Sequence, residues 1–298
     1  MRKLIISGIK LFLLLLIVLG ILTIKMYHDV EDATNSMYNE NLELKGNSNK
    51  LNSNKPFSIL LLGIDTGNYG RVDKGRSDTL MVGVVNPKTQ KTTIISIPRD
   101  TYTEIVGHYT WDKVNHAYSF GGASMTANTI NKLLDIQLDY YISINMKGLE
   151  DFVDVLGGIT INNQIGFVQN NYTFEKGTVK LNGKRALSYS RMRYADPEGD
   201  YGRQKRQRLV VEALLNKLLS ISTVFSYTDL LSIGKNNIET NITFNEMKKI
   251  LTDYNTCLNN IETEQLKGTG ITKDGISYQE IQEEELIRIK EVLKKELE

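Results

Sequence analysis

The segment Phe57–Ile97 reads FSILLLGIDTGNYGRVDKGRSDTLMVGVVNPKTQKTTIISI. It holds three short apolar runs: FSILLLGI over Phe57–Ile64, TLMVGVV over Thr79–Val85 and TTIISI over Thr92–Ile97. Each is bounded by a turn signal, namely Pro56, the glycine-rich loop between Asp65 and Asp78, and the turn NPKTQ. Continuous apolar runs of this length, rich in Val, Ile and Thr, predict buried strands. Outward from them the period changes. A helix is predicted over Ser124–Leu134, after Gly121-Gly122, and a strand over Tyr140–Ile144. Asn145 is placed to cap a helix that ends before Gly157-Gly158. Ile159–Ile161 reads as a short strand and Ala186–Arg193 as helix. A long helix runs from near Gly202 to about Ile221. Two capping-box patterns, Thr243-x-x-Glu246 and Ser277-x-x-Glu280, open two more helices. The last carries an apolar stripe of Leu286, Ile289, Val292, Leu293 and Leu297, with Glu284 and Arg288 as an i,i+4 pair. Strands interleaved with helices define an α/β fold, a β-sheet sandwiched by helices.

The 298 residues are 41% hydrophobic and 24% charged, with a net charge of +1. Near-neutrality argues against a polyanion-coating protein, so any anion site is local. The single cysteine, Cys257, excludes an intrachain disulfide and reads as a small core residue. At the N-terminus, Leu4–Ile24 is almost wholly apolar and as long as a membrane-crossing helix. Arg2, Lys3 and Lys10 precede or begin it, while Asp29, Glu31 and Asp32 follow it. The cationic flank is expected in the cytoplasm and the rest of the chain outside. The expected organisation is a cytoplasmic stub over 1–3, an uncleaved transmembrane anchor over 4–24, a polar stalk or linker over 25–55, and one extracellular domain over 56–298. There is no internal repeat.

Function is read from YSRMRYADPEGDYGRQKRQ, Tyr189–Gln207. Arg203, Gln207, Val210, Leu214 and Leu218 follow three- and four-residue steps and share a helix face. The later members are apolar, so Arg203 and Gln207 face the core at the helix N-terminus. Lys205 and Arg208 are expected on the solvated side. A buried arginine needs an anion, because its charge cannot be shed. Arg191 and Arg193 lie just before. A phosphate or pyrophosphate at this helix N-terminus satisfies the set. Internal pairing with Asp196, Glu198 and Asp200 is the alternative. Asp65 and Asp78 frame the glycine-rich loop at the ends of neighbouring strands. Beside a pyrophosphate such a pair suits Mg²⁺, which takes one or two carboxylates plus phosphate oxygens and water. Arg76 is placed to pair with a carboxylate or reach the phosphate. Arg99 falls at a strand end, where open α/β sheets bind ligands. Lys113, Asn115 and His116 follow, the histidine as a general base or as a satisfied structural group. The loop is not a Walker A motif, and no zinc spacing or nucleophilic triad is present.

The chain resembles the LytR–CpsA–Psr (LCP) family of Gram-positive bacteria. The resemblance rests on LLLGIDTGNYGRVDKGRSDTLM, SIPRDTY, KVNHAYSFGG, DYYISINMKGLEDFVDVLGGI and LNGKRALSYSRMRYADPEGDYGRQKRQ, five blocks in order. It implies a mixed sheet between helices, with an apolar channel for a polyisoprenyl chain. It implies phosphoryl transfer: the C6 hydroxyl of a peptidoglycan N-acetylmuramic acid attacks the sugar-linked phosphorus of a glycopolymer carried on undecaprenyl pyrophosphate, such as teichoic acid or capsule, and undecaprenyl phosphate leaves. By position in the motifs, Asp65 and Asp78 match the Mg²⁺ carboxylates, with Mn²⁺ as a substitute. Arg76, Arg99, Lys113, Arg191, Arg193, Arg203 and Gln207 match the pyrophosphate clamp. Asp78, Arg99, Asp200 and Arg203 carry the catalytic assignment, Asp200 by orienting the arginines and helping to activate the hydroxyl. The implied place is the cell membrane, with the domain extracellular and no nucleic-acid partner. A hydrolase using water at the same site and a non-catalytic module binding lipid-linked polyanions are the competing readings.

Overall fold

The computed structural model describes residues 20–21, 23–39, 44, 50–67, 75–218 and 227–298. The expected stub at 1–3 and most of the expected anchor at 4–24 lie outside these residues. So do loop positions 68–74 and the end of the long helix near Ile221. Among the described residues no helix is long and apolar enough to cross a membrane.

The three apolar runs are the centre of the fold. They form β1 (Phe57–Ile64), β2 (Ser77–Asn86) and β3 (Lys91–Ile97), an antiparallel meander in which Leu62 faces Leu80 and Val82 faces Ile95. The hairpin β4 (Tyr102–Ile105) and β5 (Thr110–Lys113) follows. β6 (Tyr140–Asn145) adds to β1 in parallel. Further on come β7 (Ile159–Asn163), β8 (Phe167–Gln169), β9 (Tyr172–Phe174) and β10 (Gly177–Leu181). β11 (Ile238–Thr240) closes one edge of the main sheet antiparallel to β6, and β12 (Ile261–Gln265) closes the other parallel to β3. A last hairpin is β13 (Thr269–Lys273) and β14 (Ile276–Glu280). The six-stranded sheet, in the order β11-β6-β1-β2-β3-β12, is therefore mixed.

Residues 23–37 form the helix α1. The other helices are α2 (His116–Leu134), α3 (Met146–Val155), α4 (Gly183–Arg191), α5 (Asp200–Leu218), α6 (Tyr227–Asn237), α7 (Phe244–Asp253), α8 (Asn255–Leu258) and α9 (Glu283–Leu297). Side chains alternate across a strand. Leu60, Leu62, Val82, Ile95 and Ile97 accordingly pack with Ala127 and Ile130 of α2 and Ile289 and Leu293 of α9. Phe57, Val85 and Tyr140 enter a second core with Ile250, Tyr254 and Cys257 of α7 and α8. A third core joins α3, α4 and α5 to β7–β10. Cys257 is thus a buried core thiol.

Several local expectations meet their physical limits. Asn145 caps α3 by accepting from Gly148 N at 2.8 Å, and Thr243 and Glu246 form a reciprocal capping box on α7. Ser277 and Glu280 do not form one. They lie in β14, paired with β13, and α9 starts two residues after Ile281. The pattern matched, but the β13 pairing satisfied the same backbone groups first. Arg288 turns to Glu285 (2.8 Å) and across to Glu264 (3.1 Å) rather than to Glu284. The segment that reads as a stalk holds α1 and packs on the domain. Tyr27 meets Phe244 edge-on at 5.1 Å, Asn39 N donates to Thr240 O, and Lys50 pairs with buried Asp139 at 2.8 Å.

Candidate active site

The site forms where β1, β2 and β3 open toward the start of α5. Leu80 faces Ile97 in the β2–β3 register, so Asp78 and Arg99 come opposite each other two positions further on. Arg99 Nη1 lies 2.8 Å from Asp78 Oδ1, and its Nε lies 3.7 Å from Asp100. On the β1 side a register shift after Gly63 lets Asp65 grip the returning strand. Arg76 N donates to Asp65 Oδ1 at 2.6 Å, and Asp65 N donates to Arg76 O at 3.0 Å. The close approach needs Gly75, whose φ of +67° and contact with Thr66 leave no room for a side chain.

α5 supplies the third wall. Arg203 and Gln207 are buried at 5% and 8% exposure, on the inward face that their spacing predicts. Arg203 Nη2 lies 2.9 Å from Asp200 Oδ1 one turn earlier. The contact is an ion pair without hydrogen-bond alignment: Arg203 Nε and Nη2, Asp200 Oδ1 and Arg99 Nε are all buried and make no hydrogen bond among the described residues. Buried guanidinium donors left in this state are expensive unless a ligand takes them. α4 ends in Arg191, which lies against the Met146 sulfur, and Arg193 follows 3.7 Å from Asp200.

Two adjoining cavities result. One, of about 200 Å³, is lined by Asp65, Asp78, Arg99, Arg191, Arg193, Arg203 and Gln207, with an apolar side of Ile144, Met146, Leu149 and Leu187. The other, of about 190 Å³, is lined by Asp65, Arg76, Asp78, Arg99, Asp100, Lys113 and Asn115. Asp65, Asp78 and Arg99 form the shared wall. Asp200 stands behind it, tied to Arg203 and Arg193. Apart from His116, the candidate site residues named from the sequence are therefore brought together.

Asp100 carries no assignment from the sequence. It binds Lys113 at 2.8 Å as well as approaching Arg99. The β4–β5 hairpin makes this meeting, setting Tyr102 beside Lys113, and no strong apolar run marks that hairpin in the sequence. His116 is satisfied locally by Asp112 at 2.7 Å and lines neither cavity. Asn115 Oδ1 is buried, unbonded among the described residues, and borders the second cavity. Lys205 is exposed, as expected, whereas Arg208 departs from the surface reading, and Arg206, which carried no such reading, is also buried. Arg206 is buried in a pair with Asp196, and Arg208 is buried and donates to Ser96 Oγ at 2.7 Å. A single apolar stripe marks one packed face, whereas α5 is packed on more than one.

Burial opposes the charge of Asp200, but the Arg203 charge, a bond from Gln204 and the Arg99 charge outweigh it and hold the carboxyl below its usual range. Burial likewise works against Arg99, and Asp78, Asp100 and Asp200 together raise it. Burial prevails at Arg203 and pulls it down, with Asp200 resisting and Arg99 adding to the effect. Guanidinium groups start so high that all remain cationic at neutral pH. Among the described residues no group of three or more His, Cys, Asp or Glu is placed to hold a metal ion. Asp65 and Asp78 lie on the shared wall of both cavities beside Arg99.

A cluster of arginines and carboxylates thus stands at the open end of a mixed sheet, and the chain belongs to the LytR-CpsA-Psr family, whose model matches residues 21–295. The chain is 47% identical over 294 residues to the polyisoprenyl-teichoic acid–peptidoglycan teichoic acid transferase TagU of Enterococcus faecalis, covering 98% of this chain and 96% of that protein. The fold matches the crystal structure of B. subtilis TagU with a TM-score of 0.66 at 44% identity, over 82% of this chain and 97% of that one. It also matches TagT bound to LIIa-WTA, with a TM-score of 0.67 at 30% identity, over 82% and 91% of the two chains.

Proposed function

We propose that this protein is a transferase that moves a lipid-carried cell-wall glycopolymer onto peptidoglycan. The carrying observation is buried Arg203, paired with Asp200 behind it, which lines one cavity with Arg99 and Asp78 and has guanidinium donors without hydrogen bonds among the described residues. Such donors are aimed where negative charge develops in phosphoryl transfer, a reaction governed by positioning and charge stabilisation. The relatives named as teichoic acid transferases support the same reading.

The finer chemistry follows the site. Arg99, Arg191, Arg193, Arg203 and Gln207 hold the pyrophosphate oxygens, with Arg76 and Lys113 at the second cavity. The apolar side formed by Ile144, Leu149 and Leu187 suits the start of a polyisoprenyl chain. The muramic acid C6 hydroxyl attacks the sugar-linked phosphorus, and lipid phosphate departs. The depressed carboxyl of Asp200 suits a residue that orients Arg203 and Arg193 more than one that takes a proton. Asp65 and Asp78 fit Mg²⁺ or Mn²⁺ in donor type and number, given phosphate and water for the remaining positions. A divalent ion held there would neutralise phosphate charge and improve the leaving group. The anchor over 4–24 holds the domain outside the cell membrane, beside the lipid-linked substrate.

The test is to incubate the full-length protein in detergent micelles with a lipid-pyrophosphate-linked oligosaccharide, peptidoglycan oligomers and Mg²⁺. Polymer-bearing muropeptide together with free lipid phosphate is the expected product. Free sugar phosphate formed without any acceptor points instead to a hydrolase. Binding without turnover points to a carrier-binding module.

A further inference from the structure

Of the buried arginines of α5, Arg203 pairs with Asp200 and Arg206 with Asp196, whereas Arg208 makes no ion pair among the described residues. Arg208 is only 8% exposed, and its Nη1 donates to the neutral Ser96 Oγ at 2.7 Å. It borders a cavity of about 540 Å³ on the side of α5 away from the site above. The carboxylates of that cavity are committed to two other cations of the same wall, Lys205 and Arg288. Glu198 holds Lys205 at 2.6 Å, and Glu285 and Glu264 hold Arg288 at 2.8 and 3.1 Å. Lys267, also on the wall, makes no ion pair among the described residues. Burial pulls Arg208 down, against the fields of Glu198 and Glu264. It stays charged nonetheless, and a buried charge without a counterion calls for one.

We propose that this cavity is a second anion site, with Arg208 and Lys267 binding a phosphate-class oxyanion. The guanidinium fork takes two oxygens and the ammonium a third, which a tetrahedral phosphate offers and a planar carboxylate does not. Arg208 lies five residues beyond Arg203, a rise of about 7.5 Å along the helix. Resting on the function proposed above, the anion is a phosphodiester of the glycopolymer whose lipid end occupies the first site. Free phosphate is the other source of the same chemistry.

The experiment uses full-length protein in micelles carrying Arg203→Met, which disables the first clamp. Inorganic phosphate and a lipid-free glycerol-phosphate oligomer are titrated separately by calorimetry. Binding is expected to persist in this background. It should weaken at least about tenfold on adding Arg208→Met, and severalfold on adding the exposed-site change Lys267→Ala. Preference for the oligomer assigns the polymer as source, and equal binding of both probes assigns free phosphate. Dissociation constants that neither added substitution changes, or no binding of either probe, overturn the site. Turnover of a donor lacking repeated phosphates should be unaffected by Arg208→Met alone, so loss of the anion site and failure of the transfer reading remain distinguishable.

Discussion

Asp78 and Arg99 meet at 2.8 Å because they stand opposite each other at the open end of the β2–β3 pair, two positions beyond Leu80 and Ile97. Their side chains are 26% and 22% exposed, so the pair adds little to stability. Its value is the fixed direction of both groups toward the two cavities they share. Asp78→Ala is therefore expected to lower transfer by about 100-fold or more, with a melting midpoint close to that of the parent. A near-normal rate would remove Asp78 from the machinery.

Arg203 is a different case, because its side chain is only 6% exposed and its partner Asp200 only 13%. Arg203→Lys keeps the charge but loses the planar fork, so turnover should fall at least about tenfold while folding survives. Arg203→Ala strands a buried carboxylate and should cost stability as well as rate. Comparing steady-state kinetics with urea midpoints for the two variants separates these effects. Equal rates in Arg203→Lys and the parent would show that only charge matters at this position.

The depressed carboxyl of Asp200 sets a pH expectation. A carboxyl whose folded value lies below its unfolded one contributes stability that is fully present above the unfolded value. That contribution is lost as pH falls through the folded value. The unfolding free-energy difference between the parent and Asp200→Asn should thus be constant above about pH 5 and shrink at more acid pH, beginning near the ordinary aspartate value of about 4. Urea unfolding from pH 7 to pH 2.5 measures it. A difference that widens on acidification would reverse the sign and remove Asp200 as the ionised anchor of Arg203.

How far sequence reached follows from which forces are local. β1–β3 were legible because each run is buried on both sides and broken by a clear turn. β12 reads IETEQ and β13 TGITK, largely exposed, so their pairing with β3 and β14 comes from tertiary placement that no local period announces. The helix expected over Ser124–Leu134 is present, and Gly121 and Gly122, whose backbone is non-helical, part it from the shorter helical stretch that begins at His116. Within the site, Arg203 and Gln207 were legible through their spacing to Val210. Asp100 was not, because its partner Lys113 returns by way of a hairpin. Arg208 misled because its packing partner, Ser96, lies in a strand more than a hundred residues away.

Asp65 and Asp78 share one wall of both cavities, which leads to a metal expectation. Chelating divalent ions should suppress transfer, Mg²⁺ should restore it, and Mn²⁺ should substitute. Asp65→Ala should raise the Mg²⁺ concentration needed for half-maximal rate by about tenfold, because one of two protein carboxylates is gone. Asp65 also accepts from Arg76 N, so Asp65→Asn, which keeps an acceptor oxygen, should hold the loop stem and isolate the charge effect. Transfer that continues unchanged under chelation would mean that the carboxylates work without a metal.

Arg206 provides the contrast that distinguishes scaffold from site on a single helix. It pairs with Asp196, donates to Met192 O at 2.6 Å and stacks its guanidinium 5.4 Å from the Phe167 ring centre. Both members of the pair are about 5% exposed, and neither lines the two cavities. Gly202 is required here as well, since a Cβ there would collide with the Asp196 carboxylate. Removing one partner of such a pair leaves an uncompensated buried charge, at a cost of about 3–5 kcal/mol. Asp196→Ala should therefore lower the urea midpoint sharply. The remaining folded fraction should transfer at nearly the parental rate per active molecule, as counted by binding of a pyrophosphate probe. A stable Asp196→Ala protein with a collapsed rate would instead assign the Arg206–Asp196 pair to the reaction.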